Sequence, residues 1–250
     1  MTGAVTPVPG SASIAAPTYW WYRARSDLLA AVFLKAIPPG ALLLDVGSAD
    51  GPSVDWVPPE TRRVDVDVDA NGLRPGGVCG SALELPFAAM TFDVVSAYDV
   101  VEHFPDEGAI LNELGRVLLP GGRLLVSVPA YQWAWTGFDV GSGHYRRYTR
   151  GRLMTALARA GFSVDRATYA FATTLPAFAA DRLRRRLAGG GRPVADLAPV
   201  PAWLERVLLA VAKGESRVLQ HRDLPFGSSV FTVARRPLST FDSSWPSRSG

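Results

Sequence analysis

The sequence contains a single cysteine, Cys79, among its 250 residues. A single cysteine excludes an internal disulfide and is typical of proteins from a reducing compartment, so we expect a cytoplasmic location. No neighbouring residue marks Cys79 as an activated thiol. We therefore expect it to be a small buried side chain rather than a nucleophile.

Long apolar runs and a strong charge bias are also absent. No stretch approaches the roughly 18 uninterrupted apolar residues that a membrane-spanning helix needs, so no such helix is predicted. Residues 1–17 lack the basic start and long apolar centre of a signal peptide, and we expect them to form a flexible arm. The net charge of +3 gives no electrostatic footprint for a polyanion, so no nucleic-acid partner is predicted.

What the chain does contain is enough apolar material for one sizeable core. Hydrophobic residues make up 48% of the sequence, which favours one α/β domain with elaborations over two equal domains. We expect this domain to span residues 18–237, with a helical insertion at about 171–220. The Ser-rich tail at residues 238–250 is expected to be disordered.

Residues 42–51, which read LLLDVGSADG, form the most informative run of the chain. A short apolar stretch ends in Asp45 and is followed by Gly47 and Gly51, with small side chains between them. This pattern predicts a buried strand that runs into a tight turn. Glycine lets backbone N–H groups approach a ligand where a Cβ would clash, so we expect a ligand at the carboxyl end of this strand.

A second strand is predicted within residues 62–71, RRVDVDVDAN, where valine and aspartate alternate. The alternation puts three valines, the last of them Val68, on one face and three aspartates on the other. Asp67 can accept both hydroxyls of a ribose from the end of this strand, with Asp69 as the alternative. A solvated edge or a cation site would also explain three aligned acids, but no His or Cys joins them, so no metal site is predicted.

The rest of the chain alternates between helix and strand patterns. One helix is predicted from about Asp106 to Leu119, with Asp106 as its N-cap, and another from Thr149, with Gly161 ending it. Further strands are predicted at Arg123–Val128, Phe162–Tyr169 and Ser229–Arg235, and two inserted helices at about Leu175–Leu187 and Ala202–Leu219.

Three segments resemble the class I S-adenosylmethionine (SAM)-dependent methyltransferases. The turn after Asp45 is similar to the family's D-x-G-x-G-x-G loop, with Ala49 in place of the middle glycine. The other two are GSALELPF at residues 80–87 and TFDVVSAYDVVEHFPD at residues 91–106. Ser81 stands where the family commonly has an acid that contacts the adenine amino group. LLPGGRLLVSVP at residues 118–129 is also similar to the family, and together the matches cover roughly residues 40–165.

The resemblance implies both a fold and a cofactor. The implied fold is a Rossmann-like seven-stranded sheet flanked by helices, with an antiparallel last strand, an N-terminal lid helix and a helical insertion before the last strand. The implied cofactor is SAM. The residues implied to bind it are Asp45, Gly47, Ser48, Gly51, Asp67, Val68, Ser81, Ala82, Leu83 and Tyr98.

Aromatic side chains outside the cofactor motifs are candidates for an acceptor site. Residues 18–29, TYWWYRARSDLL, predict an amphipathic helix that covers the site as a lid, although one or two of its aromatics could instead fasten the helix to the sheet. Residues 129–150 follow a strand end, are long for a connection and are rich in flat side chains, which suit a small-molecule pocket. The acceptor-binding candidates are Tyr19, Trp20, Trp133, Trp135, Tyr145, Arg146 and Tyr148.

The predicted function is methyl transfer to a small-molecule or lipid-like acceptor, on an O, N or C atom, mainly by proximity and orientation. His144 is the candidate base, and His103 and Asp99 are the other catalytic candidates; in the resembled family the residue at His103 more often supports structure. A catalytically silent SAM-binding scaffold and an NAD(P)-dependent oxidoreductase are the alternatives.

An arginine cluster lies on the first inserted helix. It could contact an anionic membrane surface or a phosphorylated substrate, so peripheral membrane contact is one interpretation and a solvated helix face is the other. The cluster consists of Arg182, Arg184, Arg185 and Arg186.

Overall fold

The computed structural model describes residues 18–48, 55–187 and 200–238. The predicted arm at 1–17 and almost all of the predicted tail lie outside these ranges, as do Ala49 and Gly51. The described strands are β1 (Leu42–Val46), β2 (Arg62–Asp67), β3 (Val78–Cys79), β4 (Phe92–Tyr98), β5 (Leu118–Pro129), β6 (Ser163–Ala170) and β7 (Ser229–Arg235).

The helices flank this sheet. The α-helices are α1 (Trp20–Phe33), α2 (Glu107–Val117), α3 (Gly137–Gly141), α4 (Arg150–Arg159), α5 (Leu175–Leu187) and α6 (Ala202–Leu219). Short 3-10 turns occupy Leu34–Ala36, Ala70–Gly72, Val101–His103 and Gln132–Ala134. No helix in the described ranges is long and apolar enough to cross a membrane.

The seven strands form one sheet in the order β3-β2-β1-β4-β5-β7-β6. The pairs of β1 with β2, β1 with β4, β2 with β3 and β4 with β5 are parallel, whereas β7 runs antiparallel to both of its neighbours. This confirms the predicted sheet with an antiparallel last strand. Because β6 is antiparallel to β7, its carboxyl end meets the same sheet edge as those of β1, β2, β4 and β5. We call this edge the carboxyl edge.

Each face of the sheet is covered by its own apolar cluster. On one face, Ile110 and Leu114 of α2 and Leu153 of α4 pack with sheet residues and are fully buried. On the other face, Leu28 and Phe33 of α1 pack against the sheet, and α6 lies beside α1. Burial on both faces explains why the inner strands are continuous apolar runs rather than alternating ones.

Sequence patterns located most helix ends correctly. Asp106 is the N-cap of α2 and accepts hydrogen bonds from the backbone N–H groups of Gly108 and Ala109. Thr149 caps α4, and Gly161, with a φ of 84°, follows its end. Such a φ favours glycine because it has no Cβ.

Three expectations about strands and burial were wrong. Strand β5 begins at Leu118 instead of Arg123, because Leu118 already pairs with Phe92 of β4. Val68 does not share the buried valine face, because β2 ends at Asp67 and leaves the Val68 side chain 74% exposed. Cys79 is exposed rather than buried, since it ends the short strand β3 at the border of the sheet.

Candidate functional site

Three of the four described non-glycine residues with a positive φ lie at the carboxyl edge, and the fourth, Met90, precedes β4. Asp99, Tyr131 and Phe171 have φ values of 55°, 62° and 60° although none is glycine. Asp99 directly follows β4, Tyr131 lies two residues after β5, and Phe171 directly follows β6. Left-handed conformations of non-glycine residues are costly and concentrate at functional sites. Their position therefore marks this edge as the candidate site.

The turn after β1 has the geometry that its sequence predicts. Gly47 has a φ of 76°, and its N–H donates to the carbonyl of Val66 at 2.9 Å. A Cβ at Gly47 would lie 2.5 Å from Cγ2 of Val100, so the turn has no room for a side chain. Asp45 lies in the strand and is buried, and its Oδ1 accepts a hydrogen bond from Ser96 Oγ at 2.6 Å.

One polar atom of this turn is buried without a partner. Ser48 follows Gly47 and is 8% exposed, and its hydroxyl oxygen has no hydrogen-bond partner among the described residues. Buried hydroxyls normally have a partner. A ligand carrying polar groups at the carboxyl edge would supply one.

The end of β2 distinguishes the two acidic candidates for a ribose. Asp67 is half-buried, and its Oδ1 accepts a hydrogen bond from the backbone N–H of Asp69 at 2.8 Å. The carboxylate of Asp69 instead accepts from the backbone N–H of Asn71 and thereby caps the following 3-10 turn. Asp69 therefore has a local structural role, and the geometry favours Asp67 as the ligand-binding acid.

The loop after β3 is fastened to the end of β2. The N–H of Gly80 donates to the carbonyl of Asp67 at 2.9 Å. Ser81 and Leu83 are exposed and Ala82 is buried, and the hydroxyl of Ser81 accepts from the N–H of Leu83 at 3.2 Å. The loop is thus placed beside Asp67, where an adenine attached to a bound ribose would extend.

The side chain of Tyr98 is not accessible to a cofactor, although its position at the end of β4 predicted a contact. Its side chain is 4% exposed and stacks on Phe33 of α1 at 5.6 Å between ring centroids. Burial, followed by the charge of Asp45, raises the pKa of the hydroxyl well above its usual value. The ring of Tyr98 therefore belongs to the core under α1, and only its backbone belongs to the carboxyl edge.

Asp99 is tied to the N-terminal helix. Its carboxylate forms an ion pair with Arg25 of α1 at 2.9 Å, and the Arg25 side chain is 3% exposed. Asp99 also accepts a hydrogen bond from Ser127 Oγ of β5 at 3.2 Å. These contacts join α1, β4 and β5 at one point of the edge.

Beyond Asp99, a buried carboxylate lies next to two histidines. Glu102 is 0% exposed, and neither of its carboxylate oxygens has a hydrogen-bond partner among the residues that the structure describes. Burial, followed by the charge of Asp99, raises its pKa well above the usual value. One ring nitrogen each of His103 and His144 and a Glu102 oxygen all lie within 4.8 Å of one another. The two rings meet edge to face at 4.6 Å between centroids.

His144 is oriented by a buried acid. Asp139 Oδ1 lies 3.1 Å from His144 Nδ1 and 2.7 Å from Nε of Arg147, and Asp139 is 0% exposed. Burial alone would raise the pKa of Asp139, but hydrogen bonds from His144 and Arg147 outweigh it and lower the pKa to about 2. An ionised Asp139 can accept a proton from Nδ1 of His144, and the tautomer that donates it keeps a lone pair on Nε2.

Part of the aromatic segment 129–150 forms a stack at the carboxyl edge. The ring of Tyr131 stacks on Trp133 at 5.7 Å and on Tyr169 at 5.3 Å between centroids. Trp133 is 43% exposed and Tyr145 is 58% exposed, while Trp135 is half-buried. Trp133 and Tyr145 therefore expose aromatic surface to solvent, and their role in an acceptor site stays a prediction.

Two acceptor candidates lie elsewhere than expected. Tyr148 is fully buried, and its hydroxyl donates to Glu107 of α2 at 2.7 Å. Its side chain packs in the core, so the expectation that it offers a flat surface to the acceptor was wrong. Arg146 forms an ion pair with Glu107 at 3.2 Å and also donates to the carbonyl of Pro105. Its guanidinium is therefore already occupied within the protein.

The aromatic run at the start of α1 is partly fastened to the sheet. Trp21 stacks on Phe171 at 5.6 Å and 9° between ring planes, and Tyr22 is 8% exposed. Tyr19 and Trp20, the two acceptor candidates here, are half-buried. Arg23 of α1 forms an ion pair with Glu205 of α6 at 3.1 Å. Trp21 and Tyr22 thus match the interpretation in which aromatics fasten the helix to the sheet. The lid function of the helix stays a prediction.

The described part of the arginine cluster makes local contacts. The Arg182 guanidinium lies over the ring of Phe178 at 4.6 Å, and Arg184 forms an ion pair with Asp181 at 3.1 Å. The side chains of Arg185 and Arg186 lie outside the described residues. Contact of this cluster with a membrane or a phosphate stays a prediction.

Sequence patterns missed Glu102 and Asp139 as members of the site, and they offered Arg147 only as an alternative to Arg146 for holding an acidic group of the acceptor, whereas it pairs with Asp139. The signal that could have found Glu102 is the E-H pair after β4 together with the G-H pair in the next connection, because both connections leave the same sheet edge. Asp139 and Arg147 carry no comparable signal, since their pairing depends on how α3 folds back on the segment that follows it.

Comparisons with known proteins match the central part of the chain. Residues 44–126 match the methyltransferase domain family. A probable S-adenosylmethionine-dependent methyltransferase of Mycolicibacterium smegmatis is 33% identical over 137 residues, which cover 50% of this chain and 53% of that protein. An uncharacterised methyltransferase of Mycobacterium leprae is 31% identical over 121 residues, 44% of this chain and 45% of that protein. The chain spans about half the length of these relatives.

Solved structures extend the likeness in fold to most of the chain. The 1,6-didemethyltoxoflavin-N1-methyltransferase of Burkholderia thailandensis has a TM-score of 0.54 at 16% identity, covering 90% of this chain and 84% of that one. A phosphoethanolamine N-methyltransferase of Haemonchus contortus has a TM-score of 0.55 at 17% identity, covering 90% and 57%. At such low identity these structures establish the fold alone.

Proposed function

We propose that the chain is a class I SAM-dependent methyltransferase and that it transfers a methyl group from SAM to a small-molecule or lipid-like acceptor; the match of residues 44–126 and the similarity to methyltransferases support this proposal. One observation carries the proposal: the glycine turn, Asp67 and the loop after β3 lie at neighbouring strand ends. Hydrogen bonds from Gly47 to Val66 and from Gly80 to Asp67 fasten them together. Ligands of open α/β sheets bind at this edge.

The residues present fit the cofactor. Gly47 keeps the turn free of a side chain, and the unpartnered hydroxyl of Ser48 is available to a polar group. The Asp67 carboxylate is the partner for ribose hydroxyls, and Val68 and Leu83 offer exposed apolar surface to an adenine ring. Asp45 supports the turn from inside the strand.

When bound, SAM supplies an electrophilic methyl group, so the protein mainly has to bind, align and exclude water. Trp133, Tyr145 and Trp135, with Tyr19 and Trp20 from α1, are the proposed walls of the acceptor site. Their exposed flat surfaces suit a small apolar or ring-containing molecule. His144 is the residue best placed to accept a proton, because Asp139 holds its Nδ1 side.

The segment between β6 and β7 is proposed to be an insertion in a single domain of residues 18–237. Helices α5 and α6 lie in it, and Glu215 of α6 accepts hydrogen bonds from the backbone N–H groups of Ala172 and Thr173. These bonds fasten the insertion to the end of β6, next to Phe171. The insertion thereby borders the proposed acceptor site.

Calorimetric titration with SAM tests the cofactor side. Asp67→Ala removes charge-assisted hydrogen bonds to the ribose, so SAM binding should weaken by roughly 1.5–3 kcal/mol. Asp69→Ala is the matched control, since Asp69 caps a turn and should leave the affinity nearly unchanged. Equal affinities for both variants and the wild type would contradict the assignment of Asp67.

Methyl transfer itself separates the proposal from its alternatives. Incubation with methyl-labelled SAM and a broad set of small molecules should give a labelled product. SAM binding without transfer to any acceptor would favour a catalytically silent scaffold. A change in the fluorescence of reduced nicotinamide cofactor on mixing, without SAM binding, would favour an oxidoreductase.

A further inference from the structure

The cluster of Glu102, His103 and His144 has the composition of a metal site. Glu102 and His103 belong to the 3-10 turn after β4, and His144 comes from the connection after α3. The backbone N–H of Tyr145 donates to the carbonyl of Glu102 at 2.8 Å, which fixes the two segments against each other. The three ligand atoms already lie within 4.8 Å of one another.

Glu102 is an unpartnered carboxylate in the interior. It is fully buried, and within the described ranges both of its oxygens lack a hydrogen-bond partner. The nearby charge of Asp99 disfavours ionisation of Glu102, whereas the charges of Arg25 and Arg147 favour it. In the described part of the chain, Arg25 pairs with Asp99 and Arg147 pairs with Asp139, and no ion pair of Glu102 is found there. An unpaired buried carboxylate is costly unless it is protonated or balanced by a cation.

Asp139 prepares His144 as a ligand. Its carboxylate lies 3.1 Å from Nδ1 of His144, which directs the remaining lone pair to Nε2. Metal-binding histidines commonly donate their second nitrogen to such an outer carboxylate. Asp139 is itself held by Arg147 at 2.7 Å, so the whole arrangement is fixed before any ion binds.

We propose that Glu102, His103 and His144 bind one divalent ion of the zinc class, with Asp139 as the outer carboxylate. Two imidazoles and one carboxylate are typical ligands of Zn²⁺, Fe²⁺ and neighbouring metals and are poor ligands for Mg²⁺ or Ca²⁺. Tetrahedral bonds of about 2.1 Å place ligand atoms about 3.4 Å apart. The three ligand atoms lie within 4.8 Å of one another, so they would have to approach by up to roughly 1.4 Å when an ion binds.

Three protein ligands leave a fourth position for water or for an oxygen of a bound molecule. The three ligands lie in connections that leave the carboxyl edge, where the proposed function places the acceptor. A metal ion there would replace His144 as the group that favours ionisation of the acceptor, because Nε2 would be occupied by the ion. The binding site itself does not depend on the proposed function.

Metal binding is tested on the full chain without a histidine tag and without SAM or acceptor, so a failed methyltransferase assay cannot affect the result. All proteins carry Cys79→Ser, because the exposed thiol could bind metal itself. Zn²⁺ is titrated by calorimetry, and Co²⁺ by visible absorption, which reports the coordination geometry. The variants are Glu102→Gln and His144→Ala, and His221→Ala removes the one histidine outside the cluster.

We expect one equivalent of Zn²⁺ to bind, with an affinity unchanged in His221→Ala and at least about tenfold weaker in Glu102→Gln and in His144→Ala. Co²⁺ should give the intense visible bands of a four-coordinate site. Near-ultraviolet circular dichroism checks that each variant is folded, and Glu102→Gln keeps the side-chain volume. No binding, or the same affinity in Glu102→Gln as in the parent protein, would overturn the proposal.

Discussion

The buried carboxylate of Glu102 should make its effect visible as a pH dependence of stability in metal-free protein. Its pKa is raised in the folded state, so the folded protein holds this proton more firmly than the unfolded chain. The resulting stability is fully present below the unfolded pKa and is lost as pH rises through the folded pKa. Each pKa unit between the folded and the unfolded state corresponds to about 1.4 kcal/mol in the free energy of unfolding.

Glu102→Gln removes this pH-dependent loss. In the presence of a chelator, the variant should be more stable than the wild type at pH 8, and the difference should shrink towards pH 4.5. Urea unfolding at several pH values measures it. Glu113→Gln is the matched control, because Glu113 is also buried but forms an ion pair with Arg116 at 2.9 Å. Neutralising Glu113 should therefore destabilise the protein. Destabilisation by both variants at pH 8 would contradict the unpaired state of Glu102.

Asp139 should show the opposite sign. Its folded pKa is lowered to about 2, so its contribution to stability is present above the unfolded pKa of about 3.9 and is lost as pH falls towards 2. Asp139→Asn should cost at least roughly 2 kcal/mol at pH 7, because it also leaves Arg147 buried without a negative partner. The cost should begin to decrease below about pH 4.

An exposed ion pair provides the comparison for Asp139. Asp181 and Arg184 are 35% and 73% exposed, so Asp181→Asn should cost no more than about 1 kcal/mol. Denaturant unfolding of both variants at pH 7 measures the difference. Similar small costs for the two variants would show that Asp139 does not hold its histidine and arginine as the distances indicate.

At the scale of elements, α1 and the segment 129–150 are predicted to cover the acceptor site. Hydrogen exchange should slow at residues 19–22 and 131–148 when S-adenosylhomocysteine and an acceptor are bound together. Strand β7 is the control, because its amides already pair within the sheet. The Trp21–Phe171 stack argues that part of α1 is already fixed. If both segments were already maximally protected in the free protein, the prediction of a mobile cover would be contradicted, and the segments would be part of a fixed aromatic core.

The elements were largely predictable, and the contacts between distant segments were not. Local patterns located α5 and α6 because their apolar periodicity and flanking Gly and Pro are local signals. Tyr148 was misplaced because alternation and composition do not say whether an aromatic after a strand turns inwards, and its partner Glu107 lies 41 residues away. The Glu102–His144 cluster was missed for the same reason, since it depends on how two connections pack at the carboxyl edge.

At the scale of the whole molecule, the distribution of surface chemistry argues for a small acceptor. The net charge of +3 is too weak to attract a polyanion. In the described ranges, the arginines of the carboxyl edge are already engaged: Arg25 by Asp99, Arg146 by Glu107 and Arg147 by Asp139. The exposed chemistry at this edge is therefore aromatic rather than cationic, as Trp133 and Tyr145 illustrate.

Competition between acceptor classes tests this argument. Methyl-labelled SAM should label small molecules with an apolar or ring-containing body, and should label neither RNA, DNA nor a panel of proteins. Trp133→Ala should raise the KM for such an acceptor by about tenfold or more, because the aromatic face contributes binding, while SAM affinity stays unchanged. Val211→Ala on α6, also an exposed apolar residue, is the matched control and should leave KM unaltered. Labelling of a protein or nucleic acid, with none of the small molecules labelled, would contradict the prediction and show that the acceptor is a macromolecule.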